Sequence, residues 1–253
     1  MNRILLSLII VFAGYLRCAY KSTDHRRMLN SVNHQREQGK LAKDQLRAFA
    51  ENHNLLKKKT VERLLAEAKN VRQFQIKNLR KRGYIFKEKD IPLPNAIWLG
   101  LGMALLVDYE TPLSKQCELL GIWNSLDFNY QMDLFSSSED YPNPPGVRRW
   151  GWIYGVEDGE KMLGKSPNQA VKEFQSDNPM RRGLMTAEGL ALYRENPDIL
   201  KNHFIDFPGS IFNLGTEHYA LNLHLYKNHV RIGYGFRVDS YPEQGSASAV
   251  FIW

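Results

Sequence analysis

Five polar side chains are spaced to share one face of a β-hairpin: His218, Asn222 and His224 on its first strand, Arg231 and Arg237 on its second. Imidazole, amide and guanidinium groups on such a face could hold an anionic or peptide ligand through charge-assisted and neutral hydrogen bonds. A metal site fits poorly. His218 and His224 are six residues apart, about 20 Å along an extended strand, too far for both to hold one ion. An ordinary solvent-facing surface is the plainer expectation for these residues, and an element laid over the sheet would change it.

Other chemistry-bearing residues are weaker candidates. Ser210, Ser246 and Ser248 are nucleophiles by type, but Gly209-Ser210 lacks the Gly-x-Ser-x-Gly elbow. Cys117, beside Leu119 and Leu120 on an expected helix, reads as a core thiol. Glu188 lies in the first turn of an expected helix, where the helix dipole accounts for it. Glu157-Asp158-Gly159-Glu160 lacks the alternating acidic spacing of a calcium loop and reads as a turn. Gly100-Leu101-Gly102 lacks the third glycine of a dinucleotide fingerprint. With two cysteines in the chain, neither a disulfide framework nor a zinc spacing is present. No catalytic residue, metal ligand or cofactor is assigned.

The five-residue face exists because the chain alternates. Tyr219, Leu221, Leu223 and Leu225 oppose the polar positions of one strand, and Val230, Ile232, Tyr234, Phe236 and Val238 those of the next. Period two predicts one buried and one wet face, and the short link through Asn228 predicts an antiparallel hairpin. Further strands are expected at 96–106, 149–156 and 247–253. Thr111-Pro112, Ser166-Pro167 and Thr186 are read as helix starts at 112–120, 167–176 and 187–195. The fold class expected for residues 91–253 is α+β, an antiparallel sheet of four or five strands with helices on one face. The terminal Phe251-Ile252-Trp253 is expected in the core.

Ahead of that domain lie two different segments. Residues 1–20 carry Arg3 and then an apolar run from Ile4 to Leu16, the length of a signal-peptide core and short for a membrane span. Arg17, Lys21, Arg26 and Arg27 follow it, so a retained anchor is the rival reading. Arg17 directly before Cys18 is wrong for lipidation. Residues 21–90 carry a net charge of +11 against −6 for residues 91–253. They are proline-free up to Ile91-Pro92-Leu93-Pro94, which reads as a linker, and are expected to be helical. Thr60 is the expected N-cap of the clearest helix and Gly83 its C′ residue. This basic region suits a solvated face packing against a protein partner, or an anionic membrane surface. Nucleic acid is the weakest reading, since no aromatic platform or Gly-rich RNA motif accompanies the charge.

A further order of signals is informative. The run Ser166-Pro167-Asn168-Gln169-Ala170 is followed by Leu184-Met185-Thr186-Ala187-Glu188-Gly189-Leu190-Ala191-Leu192, Asn196-Pro197-Asp198-Ile199-Leu200, Pro208-Gly209-Ser210 and Gly245-Ser246-Ala247-Ser248. Residues 90–253 thereby resemble an uncharacterised, mainly actinobacterial family described as a domain of unknown function. The resemblance implies a domain boundary and no activity, cofactor or catalytic residue. The resulting expectation is an exported or membrane-associated, non-enzymatic binding protein. The alternatives are a hydrolase whose site converges from separate loops, and nucleic-acid binding through the basic helices.

Overall fold

The structure, a computed structural model, describes residues 58–96, 98–124, 149–177, 180–214 and 217–250. The readings made for residues 1–20, for helix across 22–57, for the loop at 136–146 and for Phe251-Ile252-Trp253 lie outside the described residues. Two compact units divide the chain: residues 1–70 with 95–100, and residues 71–94 with 101–253. The described part of the first is the opening half of helix α1 (Lys58–Lys81) and the start of a short 3-10 turn, where Asn95 accepts from the Trp98 N–H at 3.4 Å. Thr60 lies inside α1 rather than capping it. The lysines before it are good helix formers and carry the helix past the expected start.

In the second unit α1 ends as expected. Gly83 adopts φ +82°, the Tyr84 N–H donates to Leu79 O at 3.1 Å and the Gly83 N–H to Arg80 O at 3.0 Å. These two bonds make a Schellman cap. Ile76 and Leu79 are buried with Tyr84, Ile91, Leu106 and Trp150 in a small cluster. Gln75, also on α1, spans the backbone of strand β1 (Met103–Asp108): its amide donates to Ala104 O at 2.6 Å and accepts from the Leu106 N–H at 2.6 Å. On its other edge β1 pairs antiparallel with β3 (Trp150–Val156).

The remaining elements are α2 (Leu113–Leu120), β2 (Trp123–Asn124), α3 (Pro167–Ser176), β4 (Arg181–Gly183), α4 (Thr186–Glu195), β5 (Phe204–Leu214), β6 (Glu217–Tyr226), β7 (His229–Phe236), β8 (Gln244–Ser246) and β9 (Ser248–Val250). The α+β class is as expected. The segments expected in one sheet are shared among three: β1 with β3, β4 with β9, and a five-stranded sheet in the order β2-β7-β6-β5-β8. In that sheet β5, β6 and β7 are antiparallel, and the short edge strands β2 and β8 run parallel to their neighbours.

The hairpin is as its alternation dictates. Lys227 and Asn228 have φ of 49° and 65°, the pair of positive angles that a type I′ turn needs. Leu221, Leu223 and Ile232 are fully buried and join Ile205, Phe207, Leu190 and Leu192 in the main core. α4 lies directly on this face, with Gly189 so close to Phe207 that a Cβ there would come within 2.0 Å of the ring. β5 carries Pro208-Gly209-Ser210 as a break in register between Phe207 and Ile211, an arrangement that tolerates proline within a strand.

Two expectations for the hairpin are overturned. Tyr234, Phe236 and Val238 were placed in the core by alternation, yet they are 43%, 39% and 72% exposed. Asn222 and Arg237, expected to face solvent, are buried. The cause is topological. β7 and β8 are parallel and three strands apart in order, joined by residues 237–243 alone. This link must cross the sheet, and the right-handed sense of such crossovers places it on the side of Asn222 and Asp206, opposite α4. On that face Asp206, Asn222 and Ser246 are buried and His224 and Arg231 half-buried, while the outer end of β7 stays largely exposed.

Candidate functional site

The polar face divides into two rows, each running across the sheet in register. The inner row is Ser246, Asp206, Asn222 and Gly233, on β8, β5, β6 and β7. Asp206 is 2% exposed, Asn222 3% and Ser246 1%. Asp206 Oδ2 and Ser246 Oγ have no hydrogen-bond partner among the described residues. With no cation beside it, burial pushes the Asp206 carboxyl up to about 7, because desolvation disfavours the charged form.

The outer row is half-exposed. It holds Gln244, Phe204, His224 and Arg231, and ends at Trp123, the register partner of Arg231. The Phe204 and His224 rings lie 5.2 Å apart, tilted by 42°. The Arg231 guanidinium sits 5.1 Å from the centre of the Trp123 ring and 5.5 Å from that of Tyr226. Lys227 adds its ammonium over Tyr226 at 5.3 Å. Trp123 and Tyr226 are 53% and 43% exposed. Arg231 makes no ion pair among the described residues, and its Nε is buried with no hydrogen-bond partner among them. A guanidinium beside aromatic rings and not engaged by a carboxylate keeps terminal donors for an incoming anion.

One hydrogen bond joins the rows. His224 Nδ1 lies 3.0 Å from Asn222 Oδ1. A carbonyl oxygen only accepts, so Nδ1–H donates and Nε2 carries the lone pair. Burial, then the Arg231 charge, holds His224 below its ordinary value, so near pH 7 it is a neutral hydrogen-bonding group beside a permanent cation.

Of the five residues singled out in the sequence, His224 and Arg231 meet in this strip, and Asn222 supports it from beneath. Arg237 is buried at the far end of β7, where its N–H donates to His218 O at 3.1 Å, and His218 is exposed. The missed contributors are Trp123, Phe204, Tyr226 and Asp206. Tyr226 was legible as the same-face neighbour of His224. Trp123 lies on a two-residue strand that no periodicity reveals.

The serines do not build a nucleophilic centre. Ser210 Oγ accepts from the Thr186 N–H at 2.9 Å, fixing α4 to the break in β5. Ser248 Oγ accepts from Arg181 at 2.9 Å. Ser246 shares a face with Asp206 and His224, but His224 is two strands away and no base contacts its hydroxyl. Glu188, which the helix dipole seemed to explain, is fully buried at the hub of a separate cluster. It accepts from both terminal nitrogens of Arg182, from Tyr109 Oη at 2.9 Å and from the Met185 N–H at 2.8 Å. Burial and the Glu188 charge push the Tyr109 hydroxyl well above its ordinary value. With its lone pairs occupied by four donors, Glu188 is a structural pin for α4 and β4. Cys117 is buried in α2, within the main core. Among the described residues, no group of three His, Cys, Asp or Glu could hold a metal ion.

Comparisons with protein-family models, with curated proteins and with solved structures give no match.

Proposed function

We propose that the α+β part is a non-enzymatic binding module that takes an anionic ligand on the strip Phe204, His224, Arg231 and Trp123, in a protein that is exported or membrane-associated. The observation that carries the ligand chemistry is Arg231, with its guanidinium 5.1 Å from the Trp123 ring centre and 5.5 Å from that of Tyr226 and no ion-pair partner among the described residues. Exposed Trp123 and Tyr226 beside a half-buried Arg231 are the residue types that dominate binding surfaces. The apolar run from Ile4 to Leu16 and the charge of residues 21–90 support the location. No described helix is long and apolar enough to cross a membrane, and residues 1–20 are not among those described.

The test is calorimetric titration of the protein with inorganic phosphate, poly-glutamate and phosphatidylserine vesicles, alongside Arg231→Gln. One charge-assisted forked contact contributes about 1.5–3 kcal/mol, so at least one probe should bind, and about 10-fold or more weaker to the variant. Failure of all three probes to bind, or equal binding by the variant, removes the assignment. N-terminal sequencing and membrane fractionation of the native protein test the location: an unprocessed protein wholly in the soluble fraction refutes it.

A further inference from the structure

The outer row of the polar face crosses the whole sheet rather than following one strand. Gln244, Phe204, His224, Arg231 and Trp123 stand side by side on β8, β5, β6, β7 and β2, so four inter-strand steps give the row a length of about 19 Å. His224 and Arg231 are register partners, which puts their Cβ atoms about 5 Å apart on one face. The imidazole is held on two sides, by Asn222 Oδ1 at 3.0 Å from Nδ1 and by the Phe204 ring at 5.2 Å. With Nδ1–H donating, Nε2 is an acceptor, and it has no hydrogen-bond partner among the described residues.

An acceptor beside a guanidinium selects a ligand more narrowly than the cation does. A carboxylate or sulfate only accepts, so alone it satisfies Arg231 and sets an oxygen against the Nε2 lone pair. A ligand that carries a hydroxyl near its anionic group satisfies both. The strip also has apolar area to cover. Trp123 is 53% exposed and Tyr226 43%, and the electron-rich face of an aromatic ring attracts the C–H face of a saturated ring. Lys227, its ammonium 5.3 Å from the Tyr226 ring centre, adds a second cation, and neither the five residues of the row nor Tyr226 and Lys227 include an acid. Phosphate or a lipid headgroup would meet Arg231 and leave the rings bare. An acidic peptide brings carboxylates and N–H donors, yet extended peptides add along a strand edge, and this row runs across five strands.

Resting on the anion-binding reading of this strip, we propose that its ligand is an acidic oligosaccharide: a uronic-acid chain laid across the strands, with a carboxylate on Arg231, a nearby ring hydroxyl on His224 Nε2 and a sugar face on Trp123. Carboxylate, hydroxyls and an apolar ring face recur in every unit of such a chain, so a further carboxylate is available to Lys227. A chain also matches the length of the row, where a single hydroxy acid fills one step of it.

Calorimetric titration of the full-length protein compares oligomers of galacturonic acid and of glucuronic acid with poly-glutamate of matched carboxylate number and with neutral galactose oligomers. At least one uronate should bind about 10-fold or more tighter than both the poly-glutamate and the neutral sugar. Trp123→Ala and His224→Ala should each close most of the gap between that uronate and poly-glutamate, since neither change removes Arg231. The gap is a ratio within one preparation, so partial loss of folded protein does not alter it. In the wild type, the 15N signal of His224 Nε2 should shift with the uronate and not with poly-glutamate, a readout that needs no variant to fold. Uronates that bind no tighter than poly-glutamate, with poly-glutamate binding lost in Arg231→Gln, would overturn the sugar assignment and leave the anion strip standing. Equal binding of the neutral oligomer, or a gap unchanged in both variants, would also overturn the sugar assignment. No binding by any anion would remove both readings.

Discussion

Replacing Asp206 by Asn should change how stability depends on pH, in a direction that the structure fixes. The side chain has an ordinary value of 3.8 and is pushed up to about 7 in the fold by burial. Between about pH 4 and about pH 7 the unfolded chain has released this proton while the native chain still holds it. Native stability therefore falls as pH rises through that window and levels off above it; below about pH 4 both states are protonated and the difference vanishes. Three units of displacement at 1.36 kcal/mol each make the loss about 4 kcal/mol. That figure is a ceiling, since any water reaching the carboxylate would relieve part of it. Asn is nearly the same shape and does not ionise, so its stability should lack this slope. An unpaired buried amide costs about 1–3 kcal/mol, leaving the variant about 1–3 kcal/mol more stable than the wild type above neutrality and less stable under acid conditions. Urea unfolding of both proteins from about pH 4.5 to about pH 8 measures this, the difference between the two curves cancelling other titrating groups. A difference that stays constant with pH, or that grows in the wild type's favour as pH rises, would refute the argument.

Three further outcomes follow from the packing. Glu188→Ala leaves the buried Arg182 guanidinium without its carboxylate and should destabilise the protein by about 3–5 kcal/mol; a midpoint of urea denaturation close to that of the wild type would show that the cluster is not a pin. Gly189→Ala drives a methyl into the Phe207 ring, 2.0 Å away at the nearest atom, and should cost about 1–3 kcal/mol or more, read as a fall in melting temperature. Deleting residues 247–253 removes β9 and the fully buried Ala247 and Ala249, so the truncated chain should be insoluble on expression. A soluble truncation with native circular dichroism would contradict that placement.

Elements specified by neighbouring residues were legible in the sequence. Ser166-Pro167-Asn168-Gln169 encodes a capping box, and α3 begins where it says, with Ser166 Oγ accepting from the Gln169 N–H at 3.3 Å. Gly83 and the Lys227-Asn228 turn are equally local. Features that depend on the whole fold were not. Strand β5, the longest, was hidden by Pro208-Gly209-Ser210, which resembles a loop until Gly209 is seen lodged against the backbone of Gly183 and Leu184. Thr186, expected as the N-cap of a helix over 187–195, is instead the first residue of α4 after Met185, and its N–H is satisfied by Ser210 from β5. Alternation located the two faces of the hairpin but could not say which positions would be buried, since that depends on the elements packed against the whole sheet. The site was legible to the same extent: His224 and Arg231 were singled out, but not the rings near Arg231 or the acid beside Asn222.

Gln75 carries a consequence of a different kind. β1 has β3 on one edge and no strand paired on the other among the described residues, and a row of unpaired backbone groups is a template on which a second chain can add a strand. The Gln75 amide occupies two of them, and Arg194 takes the carbonyl of Leu106. A helix thus closes the sheet with one side-chain amide acting as a surrogate peptide group. Protection of this kind is only as durable as the seating of α1. Conditions that unseat the helix while leaving β1 and β3 paired would expose that template to a second chain.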